Sequence, residues 1–216
     1  MTMRFSALAL ALALTLFLTA CASHPVPPDW QAGAYSGLKS FTADYLSGNT
    51  RIADLEFAKA RGELARTGRF ERVARAELVR CAVQVASLEF NECPGFSVLA
   101  ADAGDAERAY ADFLAGKTAD AKLLPPHYRA VVESRKDAVS NLEDPLARLI
   151  GAGVLMRSGR LLATDIELVV TTASDQGWRR PLLAWLGVQA EYAERSGDIE
   201  LAALARRRIE LVVGGR

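Results

Sequence analysis

The chain is poor in the residues that build metal and redox centres. Its 216 residues include three cysteines and two histidines, and the histidines, His24 and His127, stand far apart with no paired spacing. A structural zinc site takes four Cys or His ligands at close, regular intervals, so no metal is expected. An excess of one charge is missing as well: 26 Lys and Arg balance 26 Asp and Glu. Without a basic surplus there is no general attraction to phosphate backbones, and nucleic acid is not an expected partner. No stretch alternates apolar and polar β-branched residues as a strand does. Sheets are therefore not expected either.

What is present begins at the N-terminus. Met1-Thr2-Met3-Arg4 carries a positive charge, and Phe5 to Ala20 is apolar except for Ser6, Thr15 and Thr19. A charged start followed by a short apolar run is the layout of an export signal. At roughly 1.5 Å per residue the run of about 16 residues falls short of the ~30 Å hydrocarbon core, which favours a cleaved segment over a permanent span. Leu18-Thr19-Ala20-Cys21 closes the run. This segment resembles the lipobox of bacterial lipoproteins, in which small residues precede a cysteine that becomes the acylated N-terminus. The resemblance implies that residues 1–20 are removed and that Cys21 carries three acyl chains, more than the two signals a stable anchor needs. Ala22 follows the cysteine in place of the Asp that retains such proteins in the inner membrane. By the same analogy the address is the outer membrane, facing the periplasm.

Residues 21–29 follow as a tether, because His24-Pro25-Val26-Pro27-Pro28 cannot continue a helix and favours an extended chain. From Trp30 onward, over 30–216, apolar residues recur at three and four, which predicts an all-helical domain. Ala53, Phe57, Ala60 and Leu64 share one face, and Phe70, Ala74, Leu78, Cys81, Val85 and Leu88 form another stripe. The two segments meet at Arg66-Thr67-Gly68-Arg69-Phe70, where glycine permits the left-handed conformation that ends a helix. Arg157-Ser158-Gly159-Arg160-Leu161 and Arg195-Ser196-Gly197-Asp198-Ile199 repeat the device.

The interval from Gly159 to Gly197 is close to a helix-pair repeat of about 34 residues, whereas that from Gly68 to Gly159 fits no multiple of it. In the last hairpin Trp185, Ala190, Gly197-Asp198 and Ala202 resemble parts of the tetratricopeptide pattern over about one repeat. Gly214-Gly215 stands where that family places a proline. The expected fold is all-α: antiparallel helical hairpins in an irregular tetratricopeptide-like array or a helical bundle. Between 89 and 126, Pro94-Gly95, Gly104, Gly116 and Pro125-Pro126 cut the chain into short pieces, as an insertion or groove-facing loop would be cut. Asp144-Pro145 reads as an N-cap followed by proline at the first helical position, starting a helix to about Arg157.

Few residues offer chemistry. In an oxidising periplasm Cys81 and Cys93 can pair and pin the irregular stretch to its helix; alternatively Cys81, on an apolar stripe, is a small buried hydrophobe. A Cys93 nucleophile with His127 lacks a third group to orient the base. Ala111 to Thr118 has the outline of a phosphate-binding loop, with Lys117 and Thr118 placed for phosphate and magnesium. A charged helical stretch precedes it where the motif needs a buried strand, so nucleotide is not expected. Val132-Glu133-Ser134, followed by Gly151-Ala152-Gly153-Val154-Leu155-Met156, resembles the catalytic segment of lytic transglycosylases. That likeness implies Glu133 as acid and base, while the aromatic residue after Ser134, the spacing, the Gln after Met156 and a Tyr-Asn motif all depart from the pattern. Two aromatic stripes remain: Trp178, Trp185 and Tyr192, and Tyr35, Leu38, Phe41 and Tyr45. Such stripes are usually core, and Trp and Tyr also anchor partners, so Trp178, Trp185 and Tyr192 are candidate partner-binding residues.

These features together describe a non-enzymatic adaptor without cofactor, anchored in the outer membrane through Cys21, that presents helices to an envelope protein partner. The alternative is a peptidoglycan-active enzyme using Glu133.

Overall fold

The computed structural model describes residues 28–215; Cys21 and the segment before it lie outside the described residues. Every regular element among them is helical. Three long helices come first: α1 (Asp29–Ser47), α2 (Thr50–Ala65) and α3 (Phe70–Ala86). A broken middle holds α4 (Pro94–Ser97), α5 (Asp105–Leu114) and α6 (Arg129–Val132), with 3-10 turns at Ala100–Asp102 and Pro126–Tyr128. The chain then closes with α7 (Pro145–Arg157), α8 (Ala163–Asp175), α9 (Arg179–Ser196) and α10 (Ile199–Gly214).

Left-handed glycines punctuate the hairpins as the sequence predicts: Gly68, Gly159 and Gly197 have φ of 63°, 69° and 80°. Gly48 and Gly177 do the same between α1 and α2 and between α8 and α9, giving five such turns where three were expected. The start of α7 is also as predicted, with the Asp144 carboxylate accepting from the Ala147 N–H at 2.7 Å and Pro145 at the first helical position.

α3 is the centre of the molecule. One apolar cluster joins it to α1 and α2 through Phe41, Leu46, Phe57 and Val83. A larger one joins its other faces to α5, α7, α8 and α9 through Leu78, Val85, Phe113, Leu149, Val169 and Trp185. A helix covered on both sides must be apolar nearly all round, and α3 buries Val73, Ala76, Ala82, Val83 and Ala86 besides Ala74, Leu78, Cys81 and Val85. The single stripe read from the sequence is therefore too narrow, and its two ends are misplaced. Phe70 is exposed, and Leu88 lies beyond the helix at φ 59°.

Close helix crossings depend on missing side chains. A Cβ on Gly153 of α7 would come within 2.4 Å of the Val85 carbonyl oxygen of α3, and one on Gly37 of α1 would lie 2.9 Å from Cβ of Ala60 of α2. Successive helices pair as hairpins, and contacts of α3 with α7 and of α1 with α9 fold the hairpins back on one another. The irregular middle runs on to Asp144 and is packed, not looped out: Leu124, Tyr128, Val131, Val139 and Leu142 are all buried. α10 is attached more lightly, burying only Ala202 and Ala205 while Leu204 and Leu211 face outward. Among the described residues no helix is long and apolar enough to cross a membrane.

Candidate functional site

Cys81 and Cys93 are joined by a disulfide, with Cα atoms 5.6 Å apart. The bond fastens the segment after α3 back onto α3. Arg157 of α7 holds the same segment, donating to the Asn91 carbonyl at 3.1 Å and to Glu92 at 2.9 Å. Paired in this way, Cys93 has no thiol to act as a nucleophile. His127 instead lies beside the Tyr128 ring, centroids 4.2 Å apart.

The aromatic stripe of α9 is divided. Trp185 is fully buried and its indole N–H donates to the Ala86 carbonyl at 3.0 Å, so it pins α9 to the end of α3 and has no surface to offer a partner. That corrects its place among the candidate binding residues. Trp178 packs partly buried between the two apolar clusters, and Tyr192 is the most exposed of the three, at 39%. The α1 stripe splits likewise: Phe41 and Tyr45 are core, while Tyr35 is exposed.

Lys117 follows the C-terminus of α5, where Gly116 turns at φ 71° and the Lys117 N–H closes on the Asp112 carbonyl at 2.9 Å. A phosphate loop needs a helix N-terminus at that point. Glu133 is not on a long amphipathic helix. It ends the single turn of α6, half-exposed and paired with Arg135 at 3.3 Å. Gly151 to Leu155 are buried inside α7, the glycines admitting Val131, Leu142 and Val85, so that segment faces core. No three His, Cys, Asp or Glu gather as a metal site among the described residues.

A groove runs along α3. One cavity of about 350 Å³ lies between Trp30 and Leu38 of α1, Leu64 of α2, and Ala76 and Val79 of α3. An adjoining one of about 490 Å³ lies between Leu78 and Val79 of α3, Tyr110 of α5, and Leu123 and Pro125. Arg75 and Val79 line both. The floor is apolar and the rim is charged, with two arginines against one carboxylate, Glu107. The Arg72 guanidinium lies 4.3 Å over the Trp30 ring, and Arg75, largely exposed, holds Glu107 at 2.5 Å. Burial works to raise the Glu107 carboxyl, but the Arg75 hydrogen bond and charge and the backbone amides of Glu107 and Gly104 together hold it below its ordinary value.

Sequence reading missed this groove because its walls come from four helices and a loop. The one local signal was Arg75 and Val79 at i and i+4 on a face of α3 outside the apolar stripe. Comparison with known proteins finds no matching family model, no matching curated protein and no matching solved structure.

Proposed function

We propose that the protein is a non-enzymatic adaptor held at the outer membrane, on its periplasmic side, by acylated Cys21, and that the α3 groove receives an amphipathic helix of an envelope protein partner. The observation that carries this reading is the groove itself, an apolar floor on Val79 with Arg72 and Arg75 at its edge. An open groove between helices suits a helix laid apolar face down. The two arginines select for acidic residues flanking that face, since complementary charge sets register and excludes wrong partners. Trp30, in one wall, follows the tether directly. The seven residues 22–28, if extended at ~3.1 Å each, would keep the start of α1 within roughly 22 Å of the bilayer, which limits the groove's partners to proteins of that layer.

The test is site-specific photocrosslinking in cells from Val79 in the groove and from Leu55, an exposed position on α2, as control. The expected result is one stoichiometric adduct from Val79 alone, mapped by mass spectrometry to an acidic amphipathic segment and lost in Arg75→Glu. Equal adducts from both positions overturn the groove. In parallel, labelled palmitate should be incorporated and the label lost in Cys21→Ser; an unlabelled, freely soluble parent protein overturns the anchor.

A further inference from the structure

A second cavity, apart from the groove, lies where the turn after α6 meets the start of α8. It measures about 250 Å³ and is lined by Ser134, Lys136, Val139, Leu155, Arg160 and Asp165, among others. That is below the range of about 300–1,000 Å³ typical of drug-sized ligands, so any occupant is small.

Its walls carry both signs of charge. Asp165, the third residue of α8, is only 7% exposed. It accepts one hydrogen bond, from the Leu162 N–H at 3.3 Å, and enters no ion pair among the described residues. An ionised carboxylate offers about four acceptor positions, and buried charges are ordinarily paired. Burial pushes the Asp165 carboxyl up; the Leu162 N–H works against that, and the charge of Asp137 adds to it. On the other side Arg160 is held in place, donating to Ser134 Oγ at 2.6 Å and to Ser158 Oγ at 2.8 Å. Lys136 beside it has no ion-pair partner among the described residues. Leu162, 44% exposed, supplies an apolar wall, with Val139 and Leu155 buried behind it.

We propose that this cavity binds a free α-amino acid with an apolar side chain, its carboxylate on Arg160 and Lys136, its ammonium on Asp165 and its side chain against Leu162. A simple anion would satisfy the basic side and leave Asp165 unpaired. A simple cation would do the reverse. Only a zwitterion small enough for the space answers both.

The experiment is calorimetric titration of the purified mature chain with L-leucine, N-acetyl-L-leucine and L-leucinamide, the last two each lacking one charge. Leucine should bind saturably, and both derivatives about 10-fold or more weaker, the usual loss when a charged partner is removed. Asp165→Asn keeps an acceptor for the Leu162 N–H and should fold normally while losing about as much affinity. Absence of saturable leucine binding up to about 10 mM, a concentration that would reveal even millimolar affinity, overturns the proposal. Equal binding of the acetylated form, or undiminished binding by a folded Asp165→Asn, overturns it too. None of these outcomes touches the groove along α3, whose test is separate.

Discussion

Glu89 and Arg180 meet at 2.8 Å although they stand 91 residues apart in the chain. The other oxygen of Glu89 accepts the Tyr45 phenol at 2.7 Å, and Arg180 donates to the Tyr45 carbonyl at 2.8 Å while lying 4.2 Å over its ring. One arginine thus ties the end of α1, the segment after α3 and the start of α9. Both ion-pair partners are partly exposed, so the pair should contribute about 1 kcal/mol and no more. A double-mutant cycle with Glu89→Gln and Arg180→Met, followed by urea unfolding, should return a coupling of that size. Strict additivity of the two changes would contradict it.

The α3–α7 crossing makes a sharper prediction. Gly153→Ala drives a methyl to 2.4 Å from a backbone carbonyl and should destabilise by about 2 kcal/mol or more. Gly187, in the interior of α9, has nothing within 4 Å of its would-be Cβ. Gly187→Ala should stabilise by about 0.5 kcal/mol, because alanine loses less backbone freedom on folding. Thermal melts of the pair give opposite signs if the crossing is as close as described.

Removing the Cys81–Cys93 bond frees a loop of sequence separation 12. Chain-entropy reasoning sets the loss at about 3 kcal/mol. The Cys81→Ala, Cys93→Ala double variant should melt at the temperature of the parent in reductant and should itself be indifferent to reductant. A parent melt unchanged by reductant would show the bond contributes nothing.

Two of the buried carboxylates, Glu107 and Asp165, pull acid stability in opposite directions. Glu107 is held below its ordinary value of 4.5, so its contribution is present above that pH and is lost as pH falls through the lower folded value. Asp165 is raised above 3.8, so its ionisation weakens the fold as pH rises through the higher folded value, and acidification restores the difference. Glu107→Gln should therefore be less stable than the parent at about pH 7, by about 1 kcal/mol given how exposed Arg75 is, with the gap closing as pH falls below the ordinary 4.5. Asp165→Asn should be at least as stable as the parent at about pH 7, its advantage fading in acid. Urea titrations across the range read both slopes.

Local signals in the sequence were legible wherever one residue decides the backbone. Asp144-Pro145 starts α7 and Gly159 ends its turn because cap and left-handed glycine act over a few residues. The face of Ala53, Phe57, Ala60 and Leu64 is buried as read, since α2 packs on one side only. α3 defeated the same reasoning because it is covered on two sides, and a stripe is the wrong pattern for a central helix. Trp185 looked like a binding residue for a related reason: periodicity says which residues share a face and not whether that face meets core or water. The groove and the Asp165 cavity each join residues from separate elements, and no spacing along the chain encodes such a meeting.

α10 fully buries only two alanines, with Ile209 and Val212 partly covered against α9 and the core, whereas α3 is embedded in both apolar clusters. Opening free energies within one fold follow such differences in buried apolar contact. In native-state hydrogen exchange the amides of α10 should trade with solvent first and together, as one cooperative segment. Those of α3 should wait for the whole molecule to open. The last helix can then leave and return while Trp185 stays fixed to Ala86, a hinge of motion at one end of an otherwise rigid scaffold.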